Sequence, residues 1–152
     1  MSSRARETIT VPLPPGRAEA LWTDVQRWPS FMEGFRNRLE LAPEWPQPGS
    51  RVVWESIPGG RGRVTEKVRE RDPGRRLVSD VYEERMAGRQ AVAFTPAEDG
   101  TLVELELEYE LTQHGPLRAI ANALFIRRAI SDSLARTLRR YATEAAEDAE
   151  YE

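Results

Sequence analysis

Hydrophobic and polar residues alternate most clearly in the stretch Thr101–Leu111. Apolar side chains take every second position, and glutamates stand between them. This alternation predicts an antiparallel strand with one face against a core and the other in water. We interpret the glutamate row as a solvated face, because a flat row of carboxylates does not close around an ion. The apolar positions are Val103, Leu105, Leu107, Tyr109 and Leu111.

Shorter stretches between turn residues predict further strands, for a total of about seven. Asp72-Pro73-Gly74 and Glu98-Asp99-Gly100 are strong turn sequences. Gly59-Gly60-Arg61-Gly62 joins two predicted strands with no helix after it, so it is a hairpin turn and not a phosphate-binding loop. The cationic stretch from Arg61 to Arg76 is interpreted as an outer strand face. The predicted strands are Glu7–Leu13, Arg38–Leu41, Arg51–Ile57, Arg61–Arg71, Leu77–Glu84, Gln90–Thr95 and Thr101–Leu111.

Helical spacing occurs in three places. Arg17–Val25 predicts a short helix, and Trp28–Phe35 predicts a second short helix or a turn. After Gly115-Pro116 the chain reads as one long helix to about residue 146. The acidic end, residues 144–152, is expected to fray. The apolar stripe of the long helix is Leu117, Ile120, Leu124, Leu134, Leu138, Tyr141 and Ala145, interrupted at Arg127 and Ser131.

The order of these elements predicts an α+β fold. Near-consecutive strands with short turns form an antiparallel sheet, and the long helix must cover one of its faces. A helix of ~30 residues is ~45 Å long and can cross a whole sheet. A curved sheet around one helix leaves interior space that side chains do not fill. The sequence therefore predicts a cavity, and apolar cavities are where small ligands bind.

Composition narrows the functional classes. The chain has 152 residues, a net charge of −3 and no cysteine, which fits one domain over residues 1–152 with a core at about 7–142. The acidic balance argues against nucleic-acid binding. The missing cysteines exclude disulfides and a thiol nucleophile, and a single histidine makes a His-rich metal site unexpected. Arginine supplies all but one of the 22 cations, which we interpret as genome composition or surface ion pairing, since the count alone does not support an arginine-lined anion site.

The sequence shows no secretory signal, and its longest apolar stretch lies near Ala119–Ile126. That stretch is far shorter than the ~18 residues that span a bilayer. We therefore expect a cytoplasmic protein without membrane insertion.

Several segments together resemble the START-like, or SRPBCC, helix-grip superfamily in its polyketide cyclase/dehydrase branch. Asp24–Phe31 is similar to the family's Asp-x-x-x-Trp-Pro-x-Phe/Trp pattern, and Gly49–Val52 is similar to its entry into the third strand. Asp72–Leu77 resembles its Asp-Pro-Pro-x-Arg-Leu turn, and Gly100–Val103 its Gly-Thr-x-Val strand entry. With the first strand and Pro14-Pro15, these segments cover roughly residues 7–142.

The resemblance implies a pocket between the sheet and the long helix. Family members bind lipids, sterols, quinones, hormones or polyketides, and some catalyse cyclisation or dehydration. No cofactor or metal is general to them, so none is expected here. Homodimers are frequent in the superfamily, and a homodimer is therefore a possible partner state.

Glu66 is the first candidate for chemistry, because it lies between Val64 and Val68 on the inward face of a predicted strand. Burial would raise the pKa of this carboxyl and suit it to acid–base work. An outward rotation after Gly62 would instead leave it in water. His114 in its turn is interpreted as polar surface.

Arginine and aromatic residues supply the other candidates. Arg127, Arg128 and Ser131 interrupt the helix stripe, where a guanidinium could hold a ligand oxygen or only a surface acid. Inward aromatic side chains could line the cavity or form plain core. The predicted ligand-binding set is Trp28, Phe31, Phe35, Trp54, Glu66, Val68, Phe94, Leu105, Tyr109, Leu124, Arg127, Arg128 and Ser131.

Three functional hypotheses follow. The first is a protein that binds an apolar or aromatic small molecule, lipid-like or polyketide-like, by burying its surface. The second is a cyclase or dehydratase whose acid–base set would be Glu66, Tyr109 and Arg128. The third is an interaction module that binds a protein surface through the arginine-rich side of the long helix.

Overall fold

The computed structural model describes residues 2–112 and 118–151, and only the backbone of residues 118–122. Predicted elements appear in the predicted order, although most boundaries differ by a few residues. The strands are β1 Ser3–Val11, β2 Phe35–Leu41, β3 Arg51–Ser56, β4 Arg63–Asp72, β5 Arg76–Tyr82, β6 Met86–Ala97 and β7 Gly100–Leu111. The helices are α1 Pro15–Thr23, α2 Trp28–Phe31 and α3 Arg118–Glu150, with a 3-10 turn at Val25–Arg27 before α2.

The strands of the described chain form one antiparallel sheet in the order β1-β7-β6-β5-β4-β3-β2. Consecutive strands from β2 to β7 pair as neighbours. The first strand, β1, pairs with the last strand, β7, at the edge of the sheet opposite β2. Register shifts interrupt β2 and the pairing of β4 with β5 between Val68 and Glu70. Such bulges bend a strand and increase its twist. The predicted α+β helix-grip fold with seven strands is therefore confirmed.

One hairpin turn shows how local chemistry fixes the topology. Asp72-Pro73-Gly74 joins β4 to β5, and Gly74 has φ +73°, a conformation that favours glycine. The backbone N–H of Gly74 donates to Glu19 on α1 at 3.1 Å, and Arg71 holds the same carboxylate through two hydrogen bonds. The turn thus anchors α1 to the sheet.

Helix α3 packs against β1, α1 and α2. From residue 123 onward, where its side chains are described, the buried ones follow helical spacing and are Ile130, Leu134, Thr137, Leu138, Tyr141 and Ala145. The prediction that Leu124 belongs to this stripe is wrong, because Leu124 is 61% exposed. The buried stripe passes through Ile130 instead, so near Leu124 it lies on a different helix face from the predicted one.

The acidic end of the chain is ordered as helix to Glu150, beyond the predicted end near residue 146. Arg27 donates to Glu144 at 2.6 Å and to Asp148 at 2.9 Å, and Ala145 is fully buried. The expected fraying is therefore not observed. Arg27 of the 3-10 turn pairs with two of the acids, and one face of the helix end is buried.

Candidate functional site

Aromatic side chains fill much of the space beside the short helices. Trp28 contacts Phe35 and Trp54 edge-on, with ring centroids 6.3 and 6.4 Å apart, and Phe35 stacks on Trp54 at 5.3 Å. Phe31 contacts Tyr141 at 5.4 Å. These rings contact one another, so the structure places Trp28, Phe31 and Phe35 in the aromatic core.

Glu66 lies on the inward face of β4 and is 5% exposed. Its neighbours across the two adjacent strands are Val52 and Val81, both fully buried. The indole N–H of Trp54 donates to Oε2 of Glu66 at 2.9 Å. Burial raises the pKa of Glu66, and the Trp54 hydrogen bond and the charge of Arg61 oppose that rise. The outward rotation considered from the sequence does not occur.

A second polar group lies beside Trp54 and consists of three residues outside the predicted set. The guanidinium of Arg61 lies 5.1 Å from the centroid of the Trp54 ring and donates through Nε to Oε2 of Glu83. Oε1 of Glu83 lies 3.9 Å from Nε of Arg85. The side chain of Glu83 is 2% exposed, and that of Arg61 is 19% exposed. The interpretation of Arg61 as part of an outer strand face is therefore wrong.

These three charged residues line a cavity between the sheet and α3. Its volume is about 40 Å³, and about 320 Å³ of unfilled space is counted when its mouth to solvent is included. The enclosed volume is far below the ~300–1,000 Å³ typical of ligand sites, so a ligand would have to occupy the mouth as well. The other lining residues are apolar or small, namely Met86, Leu107, Ala129, Ile130, Ser133 and Leu134.

Sequence reasoning missed Glu83, although the pattern contained it. Leu77, Ser79 and Val81 alternate on the inward face of β5, and Glu83 continues the same parity just past the strand end. No comparable sequence pattern predicts that Arg61 and Arg85 lie at this wall. Both residues are in turns between strands, and the direction of a turn depends on the strands around it.

The three residues proposed for acid–base chemistry do not meet. Two strands separate Glu66 on β4 from Tyr109 on β7, which is roughly 14 Å between strand backbones at ~4.8 Å per step. Tyr109 is buried, which raises its pKa, while the charge of Arg127 opposes the rise. Arg128 is exposed on α3. The structure thus separates Tyr109 from Glu66, which contacts Trp54 instead.

The remaining predicted residues divide by burial. Val68, Phe94 and Leu105 are buried in the core. Ser131 is half-buried, and Arg127 is exposed with Leu124. His114 lies outside the described residues.

The site therefore combines an apolar wall with buried charge. Two guanidinium groups and one carboxylate line it. Glu66 does not line the cavity; it is connected to the wall by Trp54, which donates to Glu66 and packs against Arg61. Among residues 2–112 and 118–151 no group of three acidic, histidine or cysteine side chains has the arrangement that holds a metal ion. Within the same residues, no helix combines the length and apolar character that crossing a membrane requires.

Comparison with known proteins gives the family. A profile described as polyketide cyclase/dehydrase and lipid transport matches residues 2–146. The chain belongs to this family. The resemblance to the polyketide cyclase/dehydrase branch of the helix-grip superfamily is thereby confirmed. No curated protein sequence is significantly similar to this member.

Solved structures of similar fold share little sequence with this family member. TTHA0849 from Thermus thermophilus is 20% identical, with a TM-score of 0.77 over 94% of this chain and 97% of that one. The di-domain aromatase/cyclase StfQ of the steffimycin biosynthetic pathway is 14% identical, with a TM-score of 0.74 over 99% of this chain and 52% of that one.

A third similar structure is norcoclaurine synthase from Thalictrum flavum, solved with dopamine and hydroxybenzaldehyde. It is 12% identical, with a TM-score of 0.68 over 94% of this chain and 86% of that one. At these identities the likeness establishes the helix-grip fold of the family and not an activity.

Proposed function

We propose that this protein binds a small apolar or aromatic molecule in the cavity between the sheet and α3. The observation that carries the proposal is the composition of the cavity wall. Met86, Leu107, Ile130 and Leu134 form its apolar side, and Arg61, Glu83 and Arg85 form its polar side. Ligand sites commonly combine a mostly apolar lining with a few polar groups that orient the ligand.

The family and its structural relatives support this proposal. The family description names polyketide cyclases, dehydrases and lipid transport, and one similar structure holds two small aromatic molecules. A compound of about two fused rings would lie mainly in the mouth of the cavity, because the enclosed volume is about 40 Å³. Burial of its apolar surface would supply affinity at ~25 cal/mol per Å².

The proposal is tested by ligand screening of the purified full chain. Native mass spectrometry should detect a co-purified apolar compound, and added aromatic or lipid-like compounds should raise the melting temperature. Absence of any binding compound across both classes would contradict the proposal.

A matched pair of variants locates the binding site. Ala129→Phe adds a ring to the α3 wall of the cavity, whereas Ala146→Phe adds the same ring at an exposed position of the same helix. We expect Ala129→Phe to abolish the ligand-induced rise in melting temperature and Ala146→Phe to keep it. Equal responses of the two variants would place the ligand elsewhere.

A second candidate is a cyclase or dehydratase, which the burial of Glu66 favours and its position behind the cavity wall, rather than on it, disfavours. Its pKa is raised by that burial, which keeps a proton available for transfer at higher pH. Turnover of a polyketide-like substrate that is unchanged in Glu66→Gln would remove this candidate. Cytoplasmic location, lack of membrane insertion, lack of nucleic-acid binding and a homodimer stay predictions.

A further inference from the structure

Two atoms on the cavity wall are buried without a hydrogen bond to the described chain. They are Oε1 of Glu83 and Nε of Arg85, which lie 3.9 Å apart. The other carboxylate oxygen of Glu83 is already held by Nε of Arg61. The wall therefore holds one acceptor and one donor side by side, each with almost no exposed surface, so a bound group would reach them through a shift of the side chains.

Such a pair is complementary to a chemical group that donates and accepts at a single atom. An oxygen placed ~2.8 Å from both atoms would join them at an angle of roughly 90°. A hydroxyl oxygen accepts from an N–H and donates its own O–H, so it satisfies both partners. Buried polar groups left without partners cost free energy, which penalises a ligand that has no polar group.

Other head groups fit less well. A carboxylate would accept from Arg85 but would place a second negative charge beside Glu83. An ammonium group would donate to Glu83, but it has no acceptor for the Arg85 N–H, and its positive charge would be repelled by that of Arg85. The wall as a whole carries two guanidinium groups and one carboxylate, but its two unpartnered atoms are one donor and one acceptor, which a neutral hydroxyl matches.

We propose that Glu83 and Arg85 form a head-group site that selects an apolar ligand bearing one neutral hydroxyl, a phenol or an alcohol. This inference rests on the proposed function, because it assigns the polar end of the same cavity. Glu83 accepts the hydroxyl proton in a hydrogen bond, Arg85 donates to the hydroxyl oxygen, and the ligand body lies against Met86 and Leu107.

The test compares three two-ring compounds on the full chain at pH 7: naphthalene, 2-naphthol and 2-naphthoate. Dissociation constants are measured by ligand-detected NMR titration. We expect 2-naphthol to bind at least about tenfold more tightly than either of the others, since a hydrogen bond to a charged group is worth roughly that factor or more. Equal affinities for the three would overturn the head-group site while leaving apolar binding intact.

Variants then assign the selectivity to named residues. Arg85→Met removes the donor and keeps an apolar stem, and we expect it to reduce 2-naphthol affinity to that of naphthalene. Arg89→Met makes the same change at an exposed position of β6 and should leave all three affinities unchanged. Glu83→Gln should improve 2-naphthoate relative to 2-naphthol, since it removes the opposing charge.

The outcomes separate the two proposals. If none of the three compounds binds, and the lipid-like compounds of the wider screen also fail, the proposed function falls together with this inference. If naphthalene binds and 2-naphthol has no advantage, only the head-group site falls. If Arg85→Met fails to fold, the selectivity of the unmodified protein and of Glu83→Gln still decides the question.

Discussion

Trp54 and Glu66 are joined by a hydrogen bond across neighbouring strands, with the indole Nε1 donating to Oε2 of the carboxyl at 2.9 Å. Both residues are buried, and Trp54 also lies under the guanidinium of Arg61 at 5.1 Å. The indole therefore connects a desolvated carboxyl to the charged wall of the cavity. The relationship determines how Glu66 responds to pH and to substitution.

Glu66 should make the protein less stable as the pH rises. Burial raises the pKa of Glu66 above its ordinary value near 4.5, so the folded state binds more protons than the unfolded state above that pH. The free energy of unfolding then falls with pH, by at most ~1.4 kcal/mol per unit, until the folded pKa is passed. Urea denaturation between pH 4 and 9 measures this slope, and Glu66→Gln should flatten it.

The matched control for that slope is Glu40→Gln. Glu40 is exposed and pairs with Arg51 at 2.9 Å, so its removal should leave the pH dependence nearly unchanged. A slope in Glu66→Gln equal to that of the unmodified protein would show that Glu66 is not the responsible group.

Trp54→Phe should destabilise the protein by about 1–3 kcal/mol, because it leaves the Glu66 carboxyl buried without its donor. The loss should be smaller when Glu66→Leu is already present, since no carboxyl then needs a partner. A double-mutant cycle by urea denaturation measures this coupling. Strictly additive losses would mean that the hydrogen bond contributes nothing.

Glu19→Ala should cost about 3 kcal/mol, because it leaves the half-buried Arg71 without its partner. Glu19 is 4% exposed and accepts three hydrogen bonds, two from Arg71 and one from Gly74. Chemical denaturation provides the measurement. Glu40→Ala, which breaks an exposed pair with Arg51, should cost below about 1 kcal/mol, and equal losses would contradict the assigned role of burial.

Arg27→Ala should loosen the end of α3. Its guanidinium bridges Glu144 and Asp148, whose side chains are 19% and 25% exposed. Without it, amide hydrogen exchange in the last turns should accelerate by roughly tenfold, with little change in the sheet. Arg4→Ala, at a largely exposed pair, is the control, and unchanged exchange at the helix end would refute the prediction.

The fold could be predicted from sequence to a large extent. Alternation in Thr101–Leu111 and the turn at Asp72-Pro73-Gly74 predicted β7 and the hairpin before β5, and the structure has both. Boundaries were less accurate: β1 begins at Ser3, and α3 continues to Glu150. The helix end was missed because its contacts are distant in sequence: it pairs with Arg27, more than a hundred positions away, and buries Ala145 against the rest of the fold.

The candidate site could be predicted only in part. Glu66 was identified because its position between two valines on one face is a local property of β4. The phase of the α3 stripe was wrong at Leu124, because interruptions at Arg127 and Ser131 left two helix faces nearly equal in apolar character. Tertiary packing decides between them: Ile130 is buried and Leu124 is exposed.

The sequence by itself determined the periodicities of the strands and helices, the turns between them and the inward position of Glu66. Those properties depend on neighbours within a few residues, where backbone geometry dictates which side chains share a face. Only the tertiary structure decided that Arg61, Glu83 and Arg85 meet at one cavity wall. Their meeting depends on the directions of two hairpin ends and of α3, which the packing of the whole sheet sets.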